Sequence, residues 1–166
     1  SLANIFGYLV FGGFLFIAVQ ATHARLNVLS SHLLNAASAF GFIWVVFMFG
    51  SCMVALVGMN TMVSLFAKGS SHADTLFYIY TTVVNGLGGG IELVGGIWVL
   101  LISIHGLKAA QLAKGLHLLG LVVGAFGVLT LFQSVPELKD AFGLSQIVWF
   151  VWMGCALLKS STERTQ

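Results

Sequence analysis

The spacing of its polar breaks constrains this chain more than any other feature. Apolar runs extend from Leu2 to Thr22, Leu33 to Ala67, Leu76 to Leu107, Leu112 to Gln133 and Phe142 to Leu158. Between them lie only short polar stretches: Arg25–Ser31, Lys68–Asp74, Lys108–Gln111 and Val135–Asp140, the last holding the single proline, Pro136. A helix rises about 1.5 Å per residue, so roughly 20 apolar residues cross a hydrocarbon layer of about 30 Å. Each run meets or approaches that length. Charged residues make up 7% of the chain against 58% hydrophobic ones, too few to cover a water-facing surface. Lipid must therefore be the solvent for most of it. The expected fold is all-α, a polytopic transmembrane helix bundle of about five spans. It forms a single domain over 1–159, followed by a polar tail over 160–166.

The second and third runs are longer than one crossing needs, reaching about 50 Å as straight helices. For the second, projection past the membrane is expected at its start, where Ser30, Ser31, His32, Asn35 and Ser38 are polar and a serine could cap the helix. For the third, a bend is expected. Gly86, Gly88, Gly89, Gly90, Gly95 and Gly96 fall within eleven residues, and glycine weakens a helix unless neighbouring helices support it.

Loop charges set an orientation. With five spans, one side receives Arg25, Lys108, Lys114, Lys159 and Arg164, and the other only Lys68 and Lys139 among basic residues. The excess places the C-terminus in the cytoplasm and the N-terminus outside. The first run is too long for a signal sequence and lacks a basic leader, so it reads as a span. An outside N-terminus at Ser1 suits a chain that has lost an earlier segment. The scattered basic residues form no phosphate-tracking run, which excludes nucleic acid as a partner class. Cys52 and Cys155 sit in apolar runs and carry no C-x-x-C metal signature.

Glu92 is the residue most in need of explanation. A charged side chain near the middle of an apolar run costs on the order of 3 kcal/mol, so it must face inward and find a partner. No intramembrane Lys or Arg is available to neutralise it, Lys114 standing at the very start of its run. Asn85, two turns earlier on the same face, and Asn60 on the preceding run are the candidate partners in an intramembrane polar site. Either Glu92 handles an ion, proton or ligand, or it clamps two helices together. The pairs Gly86/Gly90 and Gly120/Gly124, with Gly95 and Gly96, read as close helix–helix contacts. The glycine cluster is not a phosphate loop, since no G-x-x-x-x-G-K-[ST] is present.

His23, His32, His105 and His117 fall near one predicted face. Histidines at one depth on different helices can hold haem b or a metal ion, although helix ends tolerate histidine without any ligand, and no cofactor is expected. No nucleophile–base pair or carboxylate pair stands out, so hydrolytic chemistry has no positive signal.

Two segments, 88–101 (GGGIELVGGIWVLL) and 142–154 (FGLSQIVWFVWMG), resemble a family of uncharacterised bacterial multi-pass membrane proteins, a domain of unknown function with about six or seven spans. The similarity covers roughly Asn85 to Lys159. It implies a bacterial inner-membrane protein and supplies no activity. The expected role is a non-enzymatic integral membrane subunit, packing against lipid and against other membrane subunits or itself. A small transporter or channel using Glu92, and a haem- or metal-binding redox protein using the histidine face, are the alternatives.

Overall fold

The structure, a computed structural model, describes residues 2–27, 31–69, 71–89 and 92–162. These residues are helical with no strand among them: α1 (Leu2–Leu26), α2 (His32–Ala67), α3 (Ala73–Val84), a π-helical turn (Asn85–Gly89), α4 (Leu93–Lys108), α5 (Lys114–Leu129) and α6 (Glu137–Thr162). Four paths are apolar and long enough to cross a membrane: α1, α2, the interrupted path Ala73–Lys108, and α6. α5 is equally apolar but has only 16 residues, about 24 Å of helix. It is the fourth of the bundle's five passes in chain order.

Successive helices run antiparallel. α1 packs on the first half of α2, with Val19 against Gly41 and Gly12 against Met48. The broken path α3–α4 returns along the whole of α2: Trp98 meets Gly41, Leu87 approaches Gly50, and the Tyr80 ring fills the space left at Gly58. α5 then lies on α4, and α6 on α5.

The third run breaks where its glycines gather. The π turn ends near Gly88, whose φ of 144° is a backbone conformation that side-chain-bearing residues rarely adopt. Its partner α2 continues unbroken for 36 residues. The projecting end of α2 is the opposite of the one its polar start suggests. Ser38 is buried at a bundle end, where its hydroxyl donates to the Leu34 carbonyl at 3.0 Å and stands 2.6 Å from His23 Nδ1. Ser31 occupies the cap position without a side-chain cap bond, and Ser30 lies outside the described residues. Ser38 is used inside the bundle, and it is the second half of α2, with α3 beside it, that extends beyond the other helices.

Two rings of charge bracket the bundle. Arg25, Lys108, Lys114 and Lys159 stand at one end; Glu92, Glu137, Lys139 and Asp140 stand at the other. Along α6, Lys139 and Lys159 are 20 residues apart, about 30 Å, the thickness of a hydrocarbon layer. The second half of α2 and all of α3 form a two-helix arm beyond the second ring. At the arm's base Cys52, Ala55 and Val84 make a small core, with Tyr8, Val54, Met59 and Tyr80 around it.

The main core is aromatic at its centre and glycine-lined at its closest seam. Trp44, Trp98 and Trp149 are buried, with ring centroids 6.0 Å apart for Trp44–Trp98 and 5.6 Å for Trp98–Trp149. Large rings fit because glycine faces them: Gly95 lies under Trp44 and Gly120 under Trp149. Between α4 and α5, Gly96, Gly124 and Gly127 bring backbone onto backbone, as small residues do in membrane helix pairs. Gly86 takes no part, since a Cβ there would meet nothing within 4 Å, because the π turn swings it to the surface. Gly90 lies outside the described residues.

A Cβ at Gly96 would stand 2.7 Å from the Val128 nitrogen and 2.8 Å from the Gly124 oxygen. Neither atom can move without separating α4 from α5. Gly96→Ala should therefore destabilise the bundle by about 1–3 kcal/mol, read as a lower unfolding midpoint in detergent. Gly13→Ala, where the added carbon meets nothing within 4 Å, should be neutral or stabilising by up to about 1 kcal/mol.

Candidate functional site

Glu92 sits in the break between the π turn and α4, at the level of the second charge ring rather than halfway along a span. Its backbone is held on both sides. The Glu92 N–H donates to Thr130 Oγ1 at 2.9 Å, and its carbonyl accepts from the Gly96 N–H at 2.9 Å. Thr130 is buried and passes the connection on, its hydroxyl donating to the Gly127 carbonyl at 2.7 Å. The end of α5 is thereby tied to the start of α4 through one hydroxyl. The carboxylate itself makes no cap bond to its own helix.

The side chain opens instead into a cavity of about 410 Å³ among α1, α2, α4 and α6, lined by Gly7, Tyr8, Phe11, Trp44, Met48, Gly88, Glu92, Lys139 and Gln146. Lys139 is close enough for its ammonium to act electrostatically on the Glu92 carboxylate, and Tyr8 lies within reach of the same charge. The Gln146 Oε1 and the Trp44 Nε1 are buried without a hydrogen-bond partner among the described residues. The cavity thus holds a carboxylate, an ammonium, a free amide oxygen and an indole N–H in a setting otherwise built of aromatic rings. An arrangement like this can bind a small polar or charged group at the edge of the hydrocarbon.

Asn85 and Asn60 do not belong to this site. Both are exposed, Asn85 because the π turn rotates it out of register with Glu92, and Asn60 because it lies on the arm, past the level of the cavity. The partner comes from an element read as a loop. Sequence places the last span from Phe142, whereas α6 begins at Glu137, just after Pro136, and this extra turn brings Lys139, itself exposed, to the edge of the cavity. Proline suits the position before a helix because no N–H is needed there. Gln146 stands in the segment 142–154 and Glu92 in the segment 88–101. The fold brings the two segments together at this cavity and, deeper, at the Trp98–Trp149 contact.

The four histidines are gathered at the basic end, but as ties rather than as a cluster. The His105 Nε2–H donates to the Leu26 carbonyl at 3.2 Å, and the His117 Nε2–H to the Gln111 carbonyl at 2.6 Å. His23 pairs with Ser38, and His32 is exposed. These bonds satisfy carbonyls at helix ends and in the α4–α5 turn that have no helical partner. Among the described residues, no three His, Cys, Asp or Glu side chains are grouped to hold a metal ion. Cys52 is buried at the arm's base, and Cys155 is exposed on α6.

Comparison with known proteins gives no matching family model, no matching curated protein and no matching solved structure.

The Thr130 relay has a direct test. Thr130→Val removes the acceptor for the Glu92 N–H and should cost about 1–3 kcal/mol of bundle stability. Thr130→Ser, which keeps the hydroxyl, should recover most of that loss in the same denaturation assay.

Proposed function

We propose that this chain is a non-enzymatic membrane subunit that holds a partner polypeptide through the α2–α3 arm. One observation carries the reading: the apolar surface continues where the hydrocarbon stops. α2 has 36 residues, a length of about 54 Å. Even tilted by about 40°, the upper end of the usual range, it covers about 41 Å against about 30 Å of hydrocarbon. The basic ring anchors the opposite end, so the excess belongs to the arm. There Val57, Val63, Phe66 and Ile79 are each more than half exposed. Val57 and Ile79 line a groove of about 420 Å³ walled almost wholly by carbon, together with Met53, Thr61, Leu76 and Val83. Apolar surface of this extent outside lipid marks a protein contact.

The basic ring is the cytoplasmic end on this reading. The N-terminus and the arm then face away from the cytoplasm, and the C-terminus lies inside it. The resemblance to bacterial multi-pass proteins supports an inner-membrane location, and the occupant of the arm is another subunit or a second copy.

A second reading, a small transporter or channel, is favoured by the cavity that joins Glu92, Lys139 and Gln146. The two readings separate on Glu92→Gln, which leaves assembly intact if the arm carries the function and changes solute flux in proteoliposomes if the cavity does.

Purification in mild detergent should retain a stoichiometric polypeptide by native mass spectrometry. Val57→Asp with Ile79→Asp should release it while the unfolding midpoint of the five-helix bundle stays within a few degrees. A protein that is monomeric and alone in every mild preparation, with the double variant indistinguishable, would contradict the subunit reading.

A further inference from the structure

A cleft at the basic end is distinct from both the arm and the Glu92 cavity. α1 and α6 touch through Phe11 and Phe150, whose ring centroids are 6.0 Å apart. Nearer the basic ring a cavity of about 450 Å³ lies between the end of α1, the α4–α5 turn and the last turns of α6. Its wall is apolar, formed by Leu112, Ala113, Trp152 and Ala156, and its rim carries two cations, Arg25 and Lys159. The neighbouring cavity beside His105 has a single cation, Lys108.

The rim is built rather than incidental. Arg25 Nη1 donates to Gln111 Oε1 at 3.0 Å, which fixes the guanidinium against the α4–α5 turn, while its Nε is buried and unpartnered among the described residues. The turn is itself held in an uncommon shape: Ala110 and Leu112 have φ of 49° and 59°, left-handed conformations unusual for residues with side chains. Leu112 in this conformation forms part of the cleft wall. Trp152 lies over Gly115, where a Cβ would stand 3.1 Å from its ring, and is 41% exposed. Tryptophan beside Lys and Arg is the side-chain set that meets lipid headgroups.

Charge selects the occupant. Every described Asp and Glu, namely Asp74, Glu92, Glu137 and Asp140, lies at the other end or on the arm, whereas Arg25, Lys108, Lys114 and Lys159 ring this one. Two cations above an apolar cleft open to the side of a helix bundle match a phosphate carried on acyl chains. Neither a free anion nor a neutral lipid satisfies both halves.

We infer that the cleft is a binding site for an anionic phospholipid, with its phosphate between Arg25 and Lys159 and an acyl chain along Leu112, Ala113, Trp152 and Ala156. The bound lipid bridges α1 to α6, two helices that share little other contact.

Native mass spectrometry of delipidated protein, titrated with phosphatidylglycerol, phosphatidylcholine or glycerol 3-phosphate, tests this. Phosphatidylglycerol should be retained well above the other two. Arg25→Gln and Lys159→Gln should each weaken it about fivefold, and Arg25→Lys should recover most of the first loss. Ala156→Phe should block retention with every charge in place, while Lys108→Gln, on the same ring but outside the cleft, should bind as the parent does. Equal retention of the two lipids, binding of glycerol 3-phosphate alone, or a loss in Lys108→Gln as large as in Arg25→Gln would each overturn the site.

Discussion

Hydrocarbon admits no unsatisfied backbone groups, and the rest of this structure follows from that constraint. It explains why the described residues are helical with few connecting residues between passes. It explains why the described charges stand in the two rings and at the far end of the arm, with none between the rings. It also makes the interruption at 85–92 informative, because broken helix is tolerated only where protein covers it or polar partners replace the lost bonds. Here Thr130 takes the Glu92 N–H at 2.9 Å, and the break stands at the charge ring rather than halfway between the rings.

Helices of similar polarity on all sides gain little from hiding apolar surface in lipid, so their association depends on fit. The bundle achieves fit by pairing the largest side chains with the smallest. Trp44 rests on Gly95, Trp149 on Gly120, and the α4 and α5 backbones meet at Gly96, Gly124 and Gly127. This packing fixes the distance between α4 and α6, and hence the geometry of the cavity where Glu92 faces Lys139 and Gln146. A substitution in the glycine seam therefore acts on the polar site without touching it.

Sequence revealed the helical passes, the basic end and the weak point in the third run, because hydrophobic length and glycine density are local signals. It also singled out Glu92. It did not reveal Lys139 as the facing charge, since that depends on α6 starting at Glu137, one turn before the apolar run. Nor did it reveal that Asn85 turns away, since the non-helical Gly88 between the two breaks the helical periodicity that would have put Asn85 and Glu92 on one face. The polar start of α2 suggested projection at the wrong end: Ser38 and His23 satisfy one another inside the bundle, a pairing across two helices that no single segment displays. The emergence of the arm is likewise a comparison among helices, visible only once the charge rings are aligned in space.

The central claim is that hydrocarbon ends at the second charge ring while α2 and α3 continue past it. A depth profile by spin labels along α2 in lipid nanodiscs measures this directly, comparing accessibility to dissolved oxygen with that to a polar nickel reagent. The account predicts that labels at Val46 meet oxygen and exclude nickel, and that labels at Val63 and Phe66 lose the oxygen preference characteristic of the acyl region. Uniform burial of all three positions in hydrocarbon would contradict it.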